Sequence, residues 1–340
     1  MNTPPNTPLD GADAVLTDLD GVVYWGDDAV PYAIESLRAC AGNLRLGFVT
    51  NNASRSSATV AAHLERLGLP ASADDVITSA QVATGMLGEL VAPGSAVLVI
   101  GGDGLFGEVR RAGFTVVARA DESPQAVIQG FAHDVGWEQL TQASFALAAT
   151  AEGKPIPWIA TNLDQTIPVA GGVAPGNGAL VDVVRATTGG EPLSAGKPQT
   201  AIYRQSAARL HVSSPLFIGD RLDTDVAGAK TAGLRSALVL TGVTSPPELL
   251  LAAADQRPDF ILADLRDLHA PYTEPEQRPA DGAWVAGDAA VREHGGKLEV
   301  IAAGSRPVEL VRAAAAAIWH GDTDPHSVVI PEALSATSVG

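Results

Sequence analysis

The chain has 340 residues, of which 46% are apolar and 5% aromatic, and a formal net charge of −17. Such a length exceeds one core of ordinary size and points to two or more domains. The acidity leaves no basic stripe to follow a phosphate backbone, which argues against a nucleic-acid partner. No apolar run reaches 18 residues, so no membrane-spanning helix is expected. The single cysteine, Cys40, cannot form an internal disulfide, in keeping with a cytoplasmic protein. The opening MNTPPNTPLDG lacks the basic and apolar regions of a signal peptide, and residues 1–11 read as a flexible tail.

In chain order, AVLTD reads as a strand and VPYAIESLRACAG as a helix, with Cys40 on its apolar face. LRLGFVTN is a strand, and SRSSATVAAHLERLG and SAQVATGMLGELV are helices. SAVLVIGG is a strand followed by helix LFGEVRRAG. AVIQGF, helix WEQLTQASFALAA, strand PIPWIATN and helix GALVDVVRAT come next. The loop AGKP, helix QTAIYRQSAARL, strand PLFIGD, helix DTDVAGAKTAG and strand RSALVL close the series. Strands alternating with helices predict βαβ units and a parallel sheet covered on both faces. EPEQRPADG clusters charge and proline and reads as a linker. Beyond it, AWVAG, AVREHGGKLEVIAAG and a helix from about Pro307 to His320 predict a hairpin, tight at HGG, and a helix.

Four predicted strands end on, or run closely into, polar residues: Asp18 and Asp20, then Thr50-Asn51-Asn52, then Gly196-Lys197-Pro198, then Gly219-Asp220 running on to Asp225. In parallel sheets, ligands sit at the carboxyl ends of the strands. Three acids, a hydroxyl and a lysine are therefore expected in one crevice. Two unit charges 4 Å apart repel by about 4 kcal/mol at an effective dielectric near 20. A hard divalent cation among the carboxylates offsets that, and Mg²⁺ favours a few carboxylates with waters and substrate phosphate. The same set suits phosphoryl transfer. One Asp carboxylate attacks phosphorus, a second carboxyl protonates the leaving oxygen, and cations neutralise the other oxygens. Asp18 and Asp20 have the spacing for the two acid roles.

Together, DLDGVVYWG, FVTNNASRS, AGKP and IGDRLDTDVAGAKTAG resemble the haloacid dehalogenase-like phosphatase superfamily, and more closely its NagD-like, p-nitrophenylphosphatase-like branch. The resemblance covers about residues 12 to 270. It implies a doubly wound, Rossmann-like α/β core over 12–82 and 191–272, with an inserted α/β cap over 83–190. It further implies a Mg²⁺-dependent phosphomonoesterase working through an aspartyl-phosphate. Asp18 would be nucleophile and metal ligand; Asp20 would be the acid/base and give its backbone carbonyl to the metal. Asp220 would be the third protein ligand. Thr50, Asn51 and Asn52 would hold phosphate, and Lys197 would neutralise it. Asp223 and Asp225 would stand behind these ligands, and which of the two matters more stays open. In the cap, ATNLDQTIP resembles the substrate loop of that branch, which would turn Asn162 and Asp164 toward the leaving group. The resemblance implies a small phosphate monoester as substrate, with a polyol phosphate such as glycerol 3-phosphate first. A homo-oligomer is compatible with it. Residues 280–340 resemble a partial acetyltransferase-like extension (small, α+β) without the acyl-CoA loop pattern, so no acetyl transfer is expected. Packing or assembly is its expected role, with Trp284 and Trp319 as anchors.

Two other readings compete. Gly102-x-Gly104-x-x-Gly107 follows strand AVLVI and precedes a helix, with Asp121 and Glu122 nearly twenty residues on, as in an NAD(P)-binding oxidoreductase. It explains none of the other acids. A phospho-accepting receiver shares the acid pair, the hydroxyl and the lysine, but is a single small domain. GEPLSAGKP fails as a phosphate-binding Walker loop because its glycine spacing is wrong and Pro198 replaces Ser or Thr. His63, His133 and His211 are isolated, and His320-x-Asp322-x-Asp324-x-His326 reads as a loop.

Overall fold

A computed structural model describes residues 6–148, 155–169, 171–321 and 323–335. Residues 1–5 of the expected tail, and Asp322 of the histidine-rich end segment, lie outside the described residues. The chain divides into two compact units, Met1–Leu46 with Val212–Gly340, and Gly47–His211.

The first unit opens with β1 (Ala14–Thr17), buried along its whole length. It shows no polar alternation, as expected of a strand covered on both faces. A short hairpin, β2 (Tyr24–Trp25) and β3 (Asp28–Ala29), leads to α1 (Ala33–Cys40). Ala33, Leu37 and Cys40 form the inward face of α1, and the Cys40 sulfur lies 3.8 Å from His269 Nε2. Cys40 is a packing residue, as its position on the apolar face indicated.

In the second unit, β4 (Arg45–Thr50), which begins at the unit border, pairs in parallel with β5 (Val76–Thr78). Between them runs α2 (Ser57–Arg66), and α3 (Ser79–Leu90) follows. Both helices start on capping hydroxyls. Ser56 accepts from Thr59, and Thr78 forms a reciprocal pair with Gln81. Next come β6 (Ala96–Ile100), α4 (Asp103–Arg111), β7 (Thr115–Val117), β8 (Ala126–Gln129), α5 (Trp137–Ala148) and β9 (Trp158–Ala160). An antiparallel pair, β10 (Thr166–Val169) and β11 (Gly172–Pro175), precedes α6 (Asn177–Thr188), β12 (Leu193–Ser194) and α7 (Thr200–Leu210). Five strands form a parallel sheet in the order β12-β9-β8-β6-β7. Leu98, Val127 and Trp158 from its strands pack with Leu140 of α5 and Val181 and Val184 of α6.

The chain returns to the first unit through β13 (Pro215–Gly219), a π-helical turn over Leu222–Val226, α8 (Ala227–Thr231), β14 (Arg235–Val239), α9 (Pro246–Leu250) and β15 (Phe260–Leu262). Its strands run in parallel in the order β15-β14-β13-β1. Beyond them, β16 (Glu276–Gln277), β17 (Trp284–Ala286), β18 (Ala289–His294) and β19 (Lys297–Ala302) make an antiparallel sheet, followed by α10 (Pro307–Trp319) and α11 (Glu332–Ser335). The expected tight turn is present. His294 pairs with Lys297 across Gly295 and Gly296, whose φ values are 58° and 77°. Two positive φ angles in a two-residue loop match the twist of a hairpin.

Two expectations require correction. EPEQ is no free linker, because Glu276 and Gln277 pair with Val285 and Trp284. The tail is tied down from Asn6 onward: the Asn6 carbonyl accepts from Tyr272 N at 2.8 Å, and the Asp10 carbonyl from Arg235 Nη1 at 2.9 Å.

The C-terminal segment shares its core with the parallel sheet. Leu238, Leu249, Leu250 and Ile261 pack with Val291, Val308, Val311 and Ile318. Helix α10 is apolar nearly all round, as befits a helix buried on every side. Its one fully buried cation, Arg312, donates to the Ile261 carbonyl at 2.8 Å and to Asp267 at 3.4 Å, and lies 4.1 Å from the centre of the Tyr272 ring. Burial pushes the Arg312 pKa down despite Tyr272 and Asp267. Trp319 anchors the helix by donating to the Leu250 carbonyl at 3.3 Å, whereas Trp284 stacks on His320.

Candidate active site

A cluster of acids is built by two neighbouring strand ends of the first unit. Thr17 pairs with Ile218 in the β1–β13 register, and the Asp18 amide extends the ladder by donating to the Ile218 carbonyl at 2.8 Å. Asp18 therefore leaves β1 level with Gly219, and Asp220 follows one residue on. Asp225 is brought back by the π-helical turn, a distortion often found at functional sites. One carboxylate oxygen from each of Asp18, Asp220 and Asp225 lies within 4.8 Å of the others, and all three residues are buried.

Backbone amides fix the two later acids. Asp220 Oδ2 accepts from Val243 N at 2.7 Å. Asp225 Oδ2 accepts from the amides of Asp220 at 3.2 Å and Arg221 at 3.1 Å. Glycines make the room. A Cβ on Gly242 would fall 2.0 Å from Asp220 Oδ2, and one on Gly219 would fall 2.2 Å from Asp225 Cβ. Three buried carboxylates this close form an oxygen-only donor set, which suits a hard cation such as Mg²⁺ and not a thiophilic metal.

The other acids of these motifs are placed differently. Asp20 is exposed and lies in the turn after β1, where its backbone bridges to Tyr24. Asp223 is exposed and paired with Arg221 at 2.8 Å. Asp225 stands with Asp18 and Asp220, whereas Asp223 stands at the surface.

In the second unit, a hydrogen-bonded group of candidate residues centres on Asn51. Strand β4 delivers Thr50, whose Oγ1 accepts from Asn52 N at 3.0 Å. Asn51 Oδ1 accepts from Lys197 N at 2.7 Å, and Nδ2 donates to the Lys197 carbonyl at 3.2 Å. The same Nδ2 reaches both carboxylate oxygens of Asp164, at 3.1 and 3.0 Å. The Asn51 carbonyl accepts from Asn162 Nδ2 at 2.8 Å and from Ser79 Oγ at 2.7 Å. Asn51, Asn162, Asp164 and Lys197 are therefore one hydrogen-bonded group, and Thr50 and Asn52, the chain neighbours of Asn51, are bonded to each other.

Sequence reasoning passed over two members of this group. Ser79 opens the helix predicted over SAQVATGMLGELV and carries no signal of its own. Asn177, the first residue of α6, is buried, and its Nδ2 donates to the Asn162 carbonyl at 2.7 Å. The available signal was a polar residue between two glycines at a helix start. A Cβ on Gly176 or Gly178 would collide with the Asp164 or Leu163 carbonyl, at 2.2 and 2.3 Å.

The chain is similar to known proteins along most of its length. A family model described as haloacid dehalogenase-like hydrolase matches residues 15–115, and a HAD-hydrolase-like model matches residues 194–268. The chain is 41% identical over 310 residues to D-glycerol 3-phosphate phosphatase of Mycobacterium tuberculosis, covering 90% of this chain and 86% of that protein. It is 34% identical over 263 residues to glycerol-3-phosphate phosphatase of Gallus gallus, covering 71% and 83%. The crystal structure of a glycerol phosphate phosphatase from Mycobacterium tuberculosis, in complex with magnesium, matches with a TM-score of 0.83 at 38% identity, covering 96% of this chain and 95% of that one. A p-nitrophenyl phosphatase from Archaeoglobus fulgidus matches with a TM-score of 0.69 at 28% identity, covering 76% and 98%. The chain belongs to the haloacid dehalogenase-like hydrolase family. Within that family its similarity runs to the p-nitrophenyl phosphatase-like members, and the doubly wound α/β fold with a cap is theirs.

Proposed function

We propose that the substrate of this phosphoric monoester hydrolase is a small phosphorylated metabolite, with glycerol 3-phosphate as the first candidate. The observation that carries the reading is the buried convergence of Asp18, Asp220 and Asp225. The 41% identity to a D-glycerol 3-phosphate phosphatase over 90% of the chain supports the choice of substrate.

Asp18 acts as the nucleophile. Its carboxylate oxygen bonds to phosphorus as the bond to the leaving alkoxide breaks, which gives an aspartyl-phosphate. Asp20 donates its proton to that alkoxide. It then takes a proton from water as water attacks phosphorus, which releases inorganic phosphate and restores Asp18. Asp18, Asp220 and Asp225, with the Asp20 backbone carbonyl, would hold Mg²⁺, which when bound offsets the charge on the transferring phosphoryl group. Thr50 and the amide of Asn51 hold the phosphoryl oxygens, and the Lys197 ammonium neutralises them. Asn162 and Asp164 face the leaving group and set its identity. Exposed Asp223 has no part in the chemistry. The cytoplasm is the proposed location, on the strength of the single buried Cys40 and the acidic composition. Among the described residues, no helix is long and apolar enough to cross a membrane.

The test is a phosphate-release screen over small phosphorylated metabolites, with Mg²⁺ and with EDTA. Glycerol 3-phosphate should rank among the best substrates, and EDTA should stop release. Ready hydrolysis of other phosphates with none from glycerol 3-phosphate would remove the substrate assignment. Undiminished release in EDTA would remove the metal role.

A further inference from the structure

The chemistry above leaves one motif unused, the turn Gly102-x-Gly104-x-x-Gly107. In a doubly wound sheet, ligands seat outside the carboxyl ends of the strands where the strand order reverses. In the second unit that point lies at β6, which has β7 on one side and β8 on the other. Gly102 and Gly104 open α4 at this end of β6.

The seat is filled by the chain's own backbone. Gly104 N–H, one of the donors that a helix start leaves unmet, donates to the Ser54 carbonyl at 3.1 Å. A Cβ on Gly104 would fall 2.7 Å from the carbonyl oxygens of Ala53 and Arg55, and one on Gly102 would fall 3.1 Å from Ser54 Cα. A Cβ on Gly107 would meet nothing within 4 Å. The first two glycines therefore serve close backbone approach, and the third does not. A dinucleotide cradle would leave this seat open for pyrophosphate.

The clamped loop follows directly on the phosphate-holding residues. Ser54 N and Oγ both donate to Asn52 Oδ1, at 2.9 and 2.7 Å, and Asn52 N donates to Thr50 Oγ1 at 3.0 Å. The register of Ser54 against Gly104 is thus passed to Asn52 and Thr50. We propose that the Gly102–Gly104 turn is a positioning platform for the phosphate-holding loop Thr50–Asn52, with Gly104 as a positioning residue acting through Ser54. The proposal rests on the phosphatase reading of the same site.

Its test compares wild type, Gly104→Ala, Ser54→Ala and Gly107→Ala by steady-state kinetics on p-nitrophenyl phosphate with Mg²⁺, by inhibition with inorganic phosphate, and by thermal melting. In Gly104→Ala, KM and the inhibition constant of inorganic phosphate should rise together, by about tenfold, with kcat changed far less. Ser54→Ala loses only the hydroxyl contact and should raise both constants by about two- to fivefold. Gly107→Ala should leave both within about twofold. A merely structural role would lower the amount of active enzyme and leave both constants alone. Unchanged constants in Gly104→Ala, or in Ser54→Ala should Gly104→Ala not fold, would overturn the proposal while wild-type turnover leaves the phosphatase reading standing. A wild type that hydrolyses no phosphate ester would remove both.

Discussion

The side-chain amide of Asn51 and the backbone of Lys197 are hydrogen-bonded to each other in both directions, at 2.7 and 3.2 Å, across 146 residues of chain. Asn51 imitates a neighbouring strand and holds the lysine loop in register with the residues that follow β4. Its Nδ2 also reaches Asp164, so one side chain links a loop after β4, a loop after β9 and the loop before α7. A Cβ on Gly196 would fall 2.5 Å from Asn51 Oδ1, which shows how closely the lysine loop is drawn in.

The first prediction follows from that link. Asn51→Ala frees the buried Lys197 loop, and misplacing a charge by about 1 Å can cost on the order of 10²-fold in rate. Asn51→Ala should lower kcat/KM for glycerol 3-phosphate by about that factor. Asn51→Asp should do at least as much harm, because it loses the Nδ2 bonds to Asp164 and to the Lys197 carbonyl and sets a carboxylate against Asp164. Steady-state kinetics with circular dichroism as a folding check would decide; Asn51→Ala within twofold of wild type would refute the link.

Asp225 lies buried beside Asp18 and Asp220, whereas Asp223 lies at the surface. Asp225→Asn removes one of three convergent carboxylates and should raise the Mg²⁺ concentration for half-maximal activity by about 10- to 100-fold. Asp223→Asn loses an exposed pair with Arg221 and should change activity by less than about twofold. A Mg²⁺ titration of each variant measures this. Equal metal requirements in the two variants would contradict the placement.

Asp13 ties the entry of β1 to the entry of β13. Burial alone raises its carboxyl pKa, but the amides of Ser213 (2.6 Å) and Ser214 (3.0 Å) and the Ser213 hydroxyl (3.0 Å) outweigh that and hold it below the ordinary value. A folded pKa below the unfolded one gives stability that is present above the ordinary carboxylate range, about pH 4, and lost as pH falls through the folded value. Asp13→Asn should therefore lower the urea midpoint at pH 7, and the gap to wild type should close toward pH 3. A gap independent of pH would count against this linkage.

Much of this molecule was legible before its coordinates. Buried strands such as AVLT and PLFIG announce themselves by unbroken apolar runs, and the acids that follow them are placed by strand register alone. HGGK declares its hairpin because only glycine readily takes two successive positive φ angles. What stayed hidden depends on partners distant in sequence. Glu276–Gln277 is a strand only because Trp284 and Val285 lie beside it, and two residues carry no period. Asp225 could not be ranked above Asp223 because a π-helical turn, with no sequence signature, decides which of the two points inward. The glycines at 102 and 104 gave the right local event, a backbone in close approach, but the letters do not say whose backbone it is.

The most direct test of the account is hydrolysis of glycerol 3-phosphate by wild type and Asp18→Asn in saturating Mg²⁺, with both proteins shown to be folded. The carboxamide keeps the shape of Asp18 and loses its nucleophilic oxygen, so turnover should fall by at least about 10³-fold with the melting temperature little changed. A folded Asp18→Asn enzyme that still releases phosphate at the wild-type rate would contradict the nucleophile assignment.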